Sequence, residues 1–288
     1  MSDATPAPSP TTKPKSPILK IVLLVGLLLV VGVAVSTYLF GGNALDAIVR
    51  STIEKVGTST LGVRTTLAKA HIDLTGGRAT LGDLRIDNAP GFKADRFMSI
   101  SGTDVGLNIG SVRTDTIELT HVKLDGIVVN LEGSPGSMNY NAILDKLKKE
   151  EAKPAAKEGK KFIIRTLELT NVKAIVTVSP LPTVTVPIDR IELKDVGKDG
   201  LSATELTQVV VQSVLQAVAS NGGGLLPKDL LGDLTNNLSG LKDLGIEALS
   251  DMQKQLESTF GGAIDEAGKT VKGLFDSIIP PSEKKDGK

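Results

Sequence analysis

Along the chain the hydrophobic pattern changes period twice. It begins with an unbroken apolar run, "IVLLVGLLLVVGVAVSTYLF" at residues 21–40. Twenty helical residues at about 1.5 Å each reach roughly 30 Å, the hydrocarbon thickness of a bilayer. The run therefore predicts a single transmembrane helix within residues 18–41. Lys13, Lys15 and Lys20 precede it, while the far flank mixes Asp46 and Glu54 with Arg50 and Lys55. That asymmetry places the N-terminus in the cytoplasm and the bulk of the chain across the membrane. The run is longer than a signal-peptide core and no A-x-A site follows, so an uncleaved anchor is expected. Residues 1–17, rich in Pro, Ser and Thr, have nothing to bury and read as a disordered tail. After the run, Asn43 can cap a short helix, "ALDAIVRSTIEKV", with a partial apolar stripe of Leu45, Ile48, Ile53 and Val56.

From Gly62 to about Val196 the period becomes two, in strand-like runs such as "AHIDL", "ATLGDLRID", "DVGLNI", "IVVNL" and "AIVTVS". Gly76-Gly77 reads as a hairpin turn. Within "ATLGDLRID" the apolar positions slip by one between Leu81 and Leu84, which a bulge at Gly82 would absorb. A similar slip recurs in "TIELTHVK" at 116, "TLELTNVK" at 166 and "RIELKDVG" at 190. These are three copies of one phase-shifted strand at irregular spacing, hence a repeated sheet element and not a solenoid repeat. Between the first two copies, Asn139 can cap a helix carrying Ile143, Leu144 and Leu147, and a Lys, Glu, Ala and Pro-rich linker covers residues 148–161.

Beyond Val196 the spacing turns helical over residues 199–280, before a short disordered tail at 281–288. Ser202 and Glu205 form a capping box ahead of "LTQVVVQSVLQAVA", whose Leu206, Val210, Val214 and Val218 fall four apart, and "NGGG" ends that helix. A second apolar stripe runs from Leu230 through Leu234, Leu238, Leu241, Ala248, Met252, Leu256 and Phe260 to Ile264, Val271, Leu274 and Ile278. Residues 225–288 hold 8 lysines against 11 acidic residues. Packing on the sheet or on a partner is therefore expected in preference to an anionic membrane surface.

Composition narrows the function. Lys plus Arg and Asp plus Glu both count 33, and two tyrosines and six phenylalanines leave little to stack bases, so nucleic acid is excluded as a partner. No cysteine is present, which removes disulfides, thiolate nucleophiles and Cys-ligated zinc. His71 and His121 are the only imidazoles, without a nucleophile motif or metal-ligand spacing around them. The glycine-rich stretches "NGGGLL" and "TGGRATLG" match no phosphate loop. The reading is of a non-enzyme with no catalytic residues, no metal and no cofactor. In "LRIDNAPGF", Pro90 and Gly91 suit the centre of a type II turn, Asn88 can bond the turn backbone, and Phe92 can fold back onto the sheet.

The ordered set formed by the apolar run, "LGDLRIDNAPGF", "IELTHVKLDGIVVNLEG" and "NYNAIL" resembles the N-terminal region of the AsmA-like family over roughly residues 20–197. The resemblance implies a protein of the inner membrane of a Gram-negative-type bacterium, single-pass with a periplasmic domain, taking part in envelope biogenesis. It also implies kinship with chorein-type, bridge-like lipid-transfer proteins, whose curved sheets form troughs for acyl chains. About nine strands at about 4.8 Å apart extend only roughly 40 Å, too little for one chain to bridge a periplasm. The expected fold is α+β: an N-terminal transmembrane helix, a strongly curved, mainly antiparallel, trough-like sheet over residues 43–198, and C-terminal amphipathic helices. Two functions follow. In the first, phospholipid lies on an apolar groove lined by Ile117, Leu119, Val122, Leu124, Leu167, Leu169, Val172, Ile191 and Leu193. In the second, the protein is a non-enzymatic assembly factor or scaffold that contacts envelope proteins through its C-terminal helices. A sheet face filled by those helices would favour the scaffold, and an open face the lipid carrier.

Overall fold

The computed structural model of the chain describes residues 43–134, 136–151, 159–188 and 190–261. The described residues from Asp46 onward form one compact unit. Helix α1 (Asn43–Leu61) leads into strands β1 (Thr65–Asp73), β2 (Arg78–Asp87), β3 (Arg96–Leu107), β4 (Thr116–Ser134) and β5 (Ser137–Met138). Helix α2 (Asn139–Glu151) precedes β6 (Lys161–Thr170), β7 (Val172–Val178), β8 (Val184–Ile188) and β9 (Ile191–Leu201). Helices α3 (Ala203–Asn221), α4 (Lys228–Ser239) and α5 (Glu247–Leu256) follow, the last running into a π-helical turn, Glu257–Gly261.

The nine strands make one open sheet in the order β1-β2-β3-β4-β6-β9, with β5 and β7 also on β4 and β8 on β7. The sheet is mixed, which corrects the expected mainly antiparallel trough: β4 runs parallel to both β6 and β7. Parallel neighbours cannot be joined by a tight hairpin, and α2 supplies part of the crossover between them. The expected membrane-anchored, single-pass inner-membrane placement is also not supported. Among the described residues no helix is long and apolar enough to cross a membrane. The run at residues 21–40, the tails at 1–17 and 281–288, half of the charged linker (152–158) and the stripe positions Ile264 to Ile278 lie outside the described residues.

The phase slips have a common physical origin. Along one line across the sheet β1, β2, β3, β4 and the β6–β7 junction take a three-residue step between positions on one face: Leu67 to Ala70, Leu81 to Leu84, Ile100 to Thr103, Leu124 to Ile127 and Leu169 to Val172. Asp83, Gly126 and Asn171 turn left-handed there, with φ of 55, 67 and 52°. The pairing continues unbroken from Gly82↔Gly102 to Leu84↔Ile100, so the expected bulge at Gly82 is replaced by a crease shared between neighbours. A second crease lies where Leu119 steps to Val122, Ile164 to Leu167 and Leu193 to Val196, with Asp195 left-handed at φ 49°. Each copy of the repeated element is thus a strand crossing a crease, its Leu and Val on one face and a polar residue at the step. Asp125 Oδ1 accepts from Asn171 Nδ2 at 2.6 Å and Thr170 Oγ1 at 2.7 Å, tying the first crease across the parallel pair.

Creasing keeps one face apolar throughout, and helices cover it. α2 packs on β4, and α3 packs on β6, β8 and β9. Their Ile143, Leu144, Leu147, Val211, Val214, Leu215 and Val218 join the strand residues in a single core. The other face is polar. Arg165 Nε donates to Glu118 Oε1 at 2.6 Å and its Nη1 reaches Asp195 Oδ1 at 3.4 Å, while Arg190 bridges Glu168 and Glu192. Edge strand β1 is closed by α1, whose side chains take its outward N–H groups: Leu67 N to Glu54 Oε1 at 2.9 Å, Ile72 N to Asp46 Oδ1 at 2.8 Å and Thr65 N to Thr58 Oγ1 at 3.0 Å. At the other edge, exposed Pro187 and Lys194 blunt pairing.

The crease makes a direct demand on residue type. Replacing Asn171 by Val places a β-branched side chain in a left-handed position and should cost about 1–2 kcal/mol of stability. Asn171→Gly, which tolerates the φ but loses the bond to Asp125, should cost less, an order that urea denaturation of the two variants reads directly.

Candidate functional site

The nine groove candidates fall in adjacent rows on the apolar face. Val122 pairs with Leu167 and Leu167 with Leu193; Leu124 pairs with Leu169 and Leu169 with Ile191. Leu119 lies beside Ile164, Ile117 beside Phe162, and Val172 beside Ile188. The structure brings them together, but as core: Leu169 is 0% and Leu167 and Leu193 are 1% exposed, and the rest are buried except half-buried Ile117. They share a continuous core with α3 and α4. Side chains from the helices take the place an acyl chain would need.

The "DNAPGF" turn is held by a buried polar network. Ala89 is buried, Pro90 and Gly91 are exposed, Phe92 is half-buried, and Gly91 has φ 94°, a value its missing side chain permits. Asn88 Oδ1 accepts from the Ala89 N–H at 3.0 Å, and its Nδ2 donates to the Ala94 carbonyl at 2.9 Å and to Glu132 Oε1 at 2.6 Å. Glu132 Oε1 also accepts from the Ala94 N–H at 2.7 Å. Asn139, fully buried, donates to Asn88 Oδ1 at 2.9 Å and to the Asn130 carbonyl at 2.8 Å, and accepts from the Glu132 N–H at 3.0 Å. Asn139 was expected to cap the following helix; instead its amide ties the turn to the end of β4. Both ends of the loop are thus locked by one carboxylate and two amides, an arrangement suited to rigidity.

Glu132 was missed in the sequence because alternation with Ile127, Val129 and Leu131 puts it on the solvent side. The tight chain path after β4 buries it instead. A second tie links helices: Tyr140 Oη donates to Asp233 Oδ2 at 2.7 Å, and burial, then that bond and the nearby negative charge, push the phenol well above its ordinary pKa.

The histidines stand apart from both features. His71 is exposed, with Nδ1 3.7 Å from Asp46 Oδ2. His121 Nε2 lies 2.7 Å from Asp104 Oδ1 on the polar face, over Gly106, where a Cβ would collide with its ring. Among the described residues no group of three His, Asp or Glu side chains is placed to hold a metal.

At the end of α2, Glu151 Oε2 accepts from the Lys242 N–H at 3.0 Å, while Oε1 is buried without a partner. Burial pushes this carboxyl above its ordinary range, opposed by Lys242 and Lys148.

These features define an α+β unit whose mixed, creased sheet is covered on one face by helices. Compared with known protein families, curated proteins and solved structures, the chain matches none of them.

Two measurements follow from the buried polar groups. Asn139→Ala takes the acceptor from the Glu132 N–H and a donor from the Asn130 carbonyl and from Asn88 Oδ1, which keeps the Ala89 N–H, and should cost roughly 2–4 kcal/mol in chemical denaturation. For Glu151, a carboxyl raised in the fold stabilises most fully below its unfolded value, and that contribution is lost as pH climbs through the folded value. Glu151→Gln, which mimics the protonated form, should therefore raise the melting temperature at pH 7 and make little difference below about pH 4.

Proposed function

We propose that this protein is a non-enzymatic assembly factor or scaffold of a cell envelope, acting through protein contacts and not as an acyl-chain carrier on its sheet. The observation that carries this reading is the filling of the sheet's apolar face by α2 and α3, which buries eight of the nine groove candidates. The envelope setting is supported by the resemblance of residues 20–197 to AsmA-like proteins. The contact region is narrowed by packing: Leu230, Leu231, Leu234, Leu238, Ile246, Leu249 and Leu256 are all buried within the chain. Their stripe is used in the core, so this reading assigns partner contacts to its continuation in the sequence, Ile264, Val271, Leu274 and Ile278, which lie outside the described residues.

Packing also decides how the proposal is tested. Removing residues 225–288 would strip nine large buried side chains from the core, at roughly 1.5–3 kcal/mol each, more than a domain's usual margin of stability can absorb. Truncation after Gly261 leaves every described element in place. It should preserve the thermal transition and abolish protein cross-links formed in cells. Unchanged cross-linking by the folded truncation refutes the scaffold reading. Phospholipid retained stoichiometrically in native mass spectrometry would restore the carrier.

A further inference from the structure

One face of α3 carries glutamine at every fourth residue, Gln208, Gln212 and Gln216, and all three are buried. Such a stripe reads in sequence as solvent-facing; here it lies under α5 and the segment joining α4 to α5. Gln208 Nε2 donates to the Lys242 carbonyl at 3.2 Å. Gln216 Nε2 donates to Gln253 Oε1 at 3.0 Å. Gln212, only 8% exposed, has no hydrogen-bond partner among the described residues. Its amide faces a cleft of about 190 Å³ walled by Leu241, Ile246 and Leu249, with the Lys242 and Lys254 side chains also lining it. With neither its donors nor its acceptor used inside the chain, the amide is open to the cleft, and a ligand that pairs with it makes hydrogen bonds the chain itself does not supply.

We propose that this cleft binds a small monocarboxylate on an apolar stem. The stem occupies the leucine and isoleucine wall, since a cavity of about 150 Å³ already accepts a benzene-sized group of six carbons. The carboxylate meets the Lys242 and Lys254 ammonium groups, and Gln212 Nε2 donates to it or to an adjoining carbonyl. Lys242 Nζ already lies 3.2 Å from Glu205 Oε1 and Lys254 Nζ 3.6 Å from Asp251 Oδ1, and both are mostly exposed, so each can turn to the ligand without leaving a buried charge unpaired. Asp243 also lines the cleft, its Oδ1 accepting from the Gly245 N–H and Ser250 Oγ, so the two lysines leave the lining one positive charge in excess. This chemistry occurs in a medium-chain alkyl acid and in the C-terminal apolar residue of a peptide.

The test titrates the full chain with octanoate, N-acetyl-leucine and acetate, following the Gln212 side-chain amide by NMR. Saturable shifts with octanoate or with N-acetyl-leucine, but not with acetate, support the site, and the tighter of the two names the source. Gln212→Leu keeps the volume and removes the unpaired amide. It should fold at least as stably as the parent and bind about tenfold more weakly or worse. Equal affinity in that folded variant, or no saturable shift with either probe at millimolar concentration, overturns the proposal.

Discussion

A twisted sheet that must bend sharply and still keep one continuous apolar face faces a conflict, because strict alternation sends every second side chain to the wrong side once the backbone turns. The chain resolves it with a three-residue step taken at the same line by neighbouring strands. At the first crease neighbouring strands step together, so the pairing keeps its register there, and Asp83, Gly126 and Asn171 adopt left-handed backbone, as Asp195 does at the second. Everything else depends on that coordination: the single core, the polar ladder of Glu118, Arg165 and Asp195 on the outer face, and the surface onto which α2 and α3 dock.

Covering that face determines what the molecule can do. The groove candidates share one core cluster with Val211, Val214 and Leu215 of α3 and the leucines of α2. Both sheet edges are also closed to extension, one by carboxylates of α1 that take the N–H groups of β1, the other by Pro187 and exposed lysine. The sheet is thus covered on its apolar face and blunted at its edges, while its polar face stays open.

The buried polar groups fall into two kinds. Asn88, Glu132 and Asn139 satisfy one another and fix the loop after β2 against the end of β4. Gln208 Nε2 and Gln216 Nε2 are likewise engaged, but the Gln216 Oε1 and Glu151 Oε1 atoms are buried without partners, and Gln212 stands unpartnered at the cleft. Satisfied networks hold the fold in one arrangement, while unsatisfied groups beside an opening mark where a ligand or a change of protonation has free energy to gain.

Periodicity by itself determined the α+β class, the strand-rich middle, the capping box at Ser202 and the copies of the phase-shifted strand, because these are local consequences of side-chain spacing. The turn at Pro90-Gly91 was legible for the same reason. The parallel pairing of β4 with β6 and β7 was not, since no local pattern states which strands will be neighbours. Nor could spacing show that Asn139 would serve Asn88 instead of its own helix, that Glu132 would be buried, or that a stripe of glutamines would face inward. Those outcomes depend on which surfaces are left to cover once the sheet has formed. Burial is decided by contacts between distant segments, and only the tertiary structure brings those segments together.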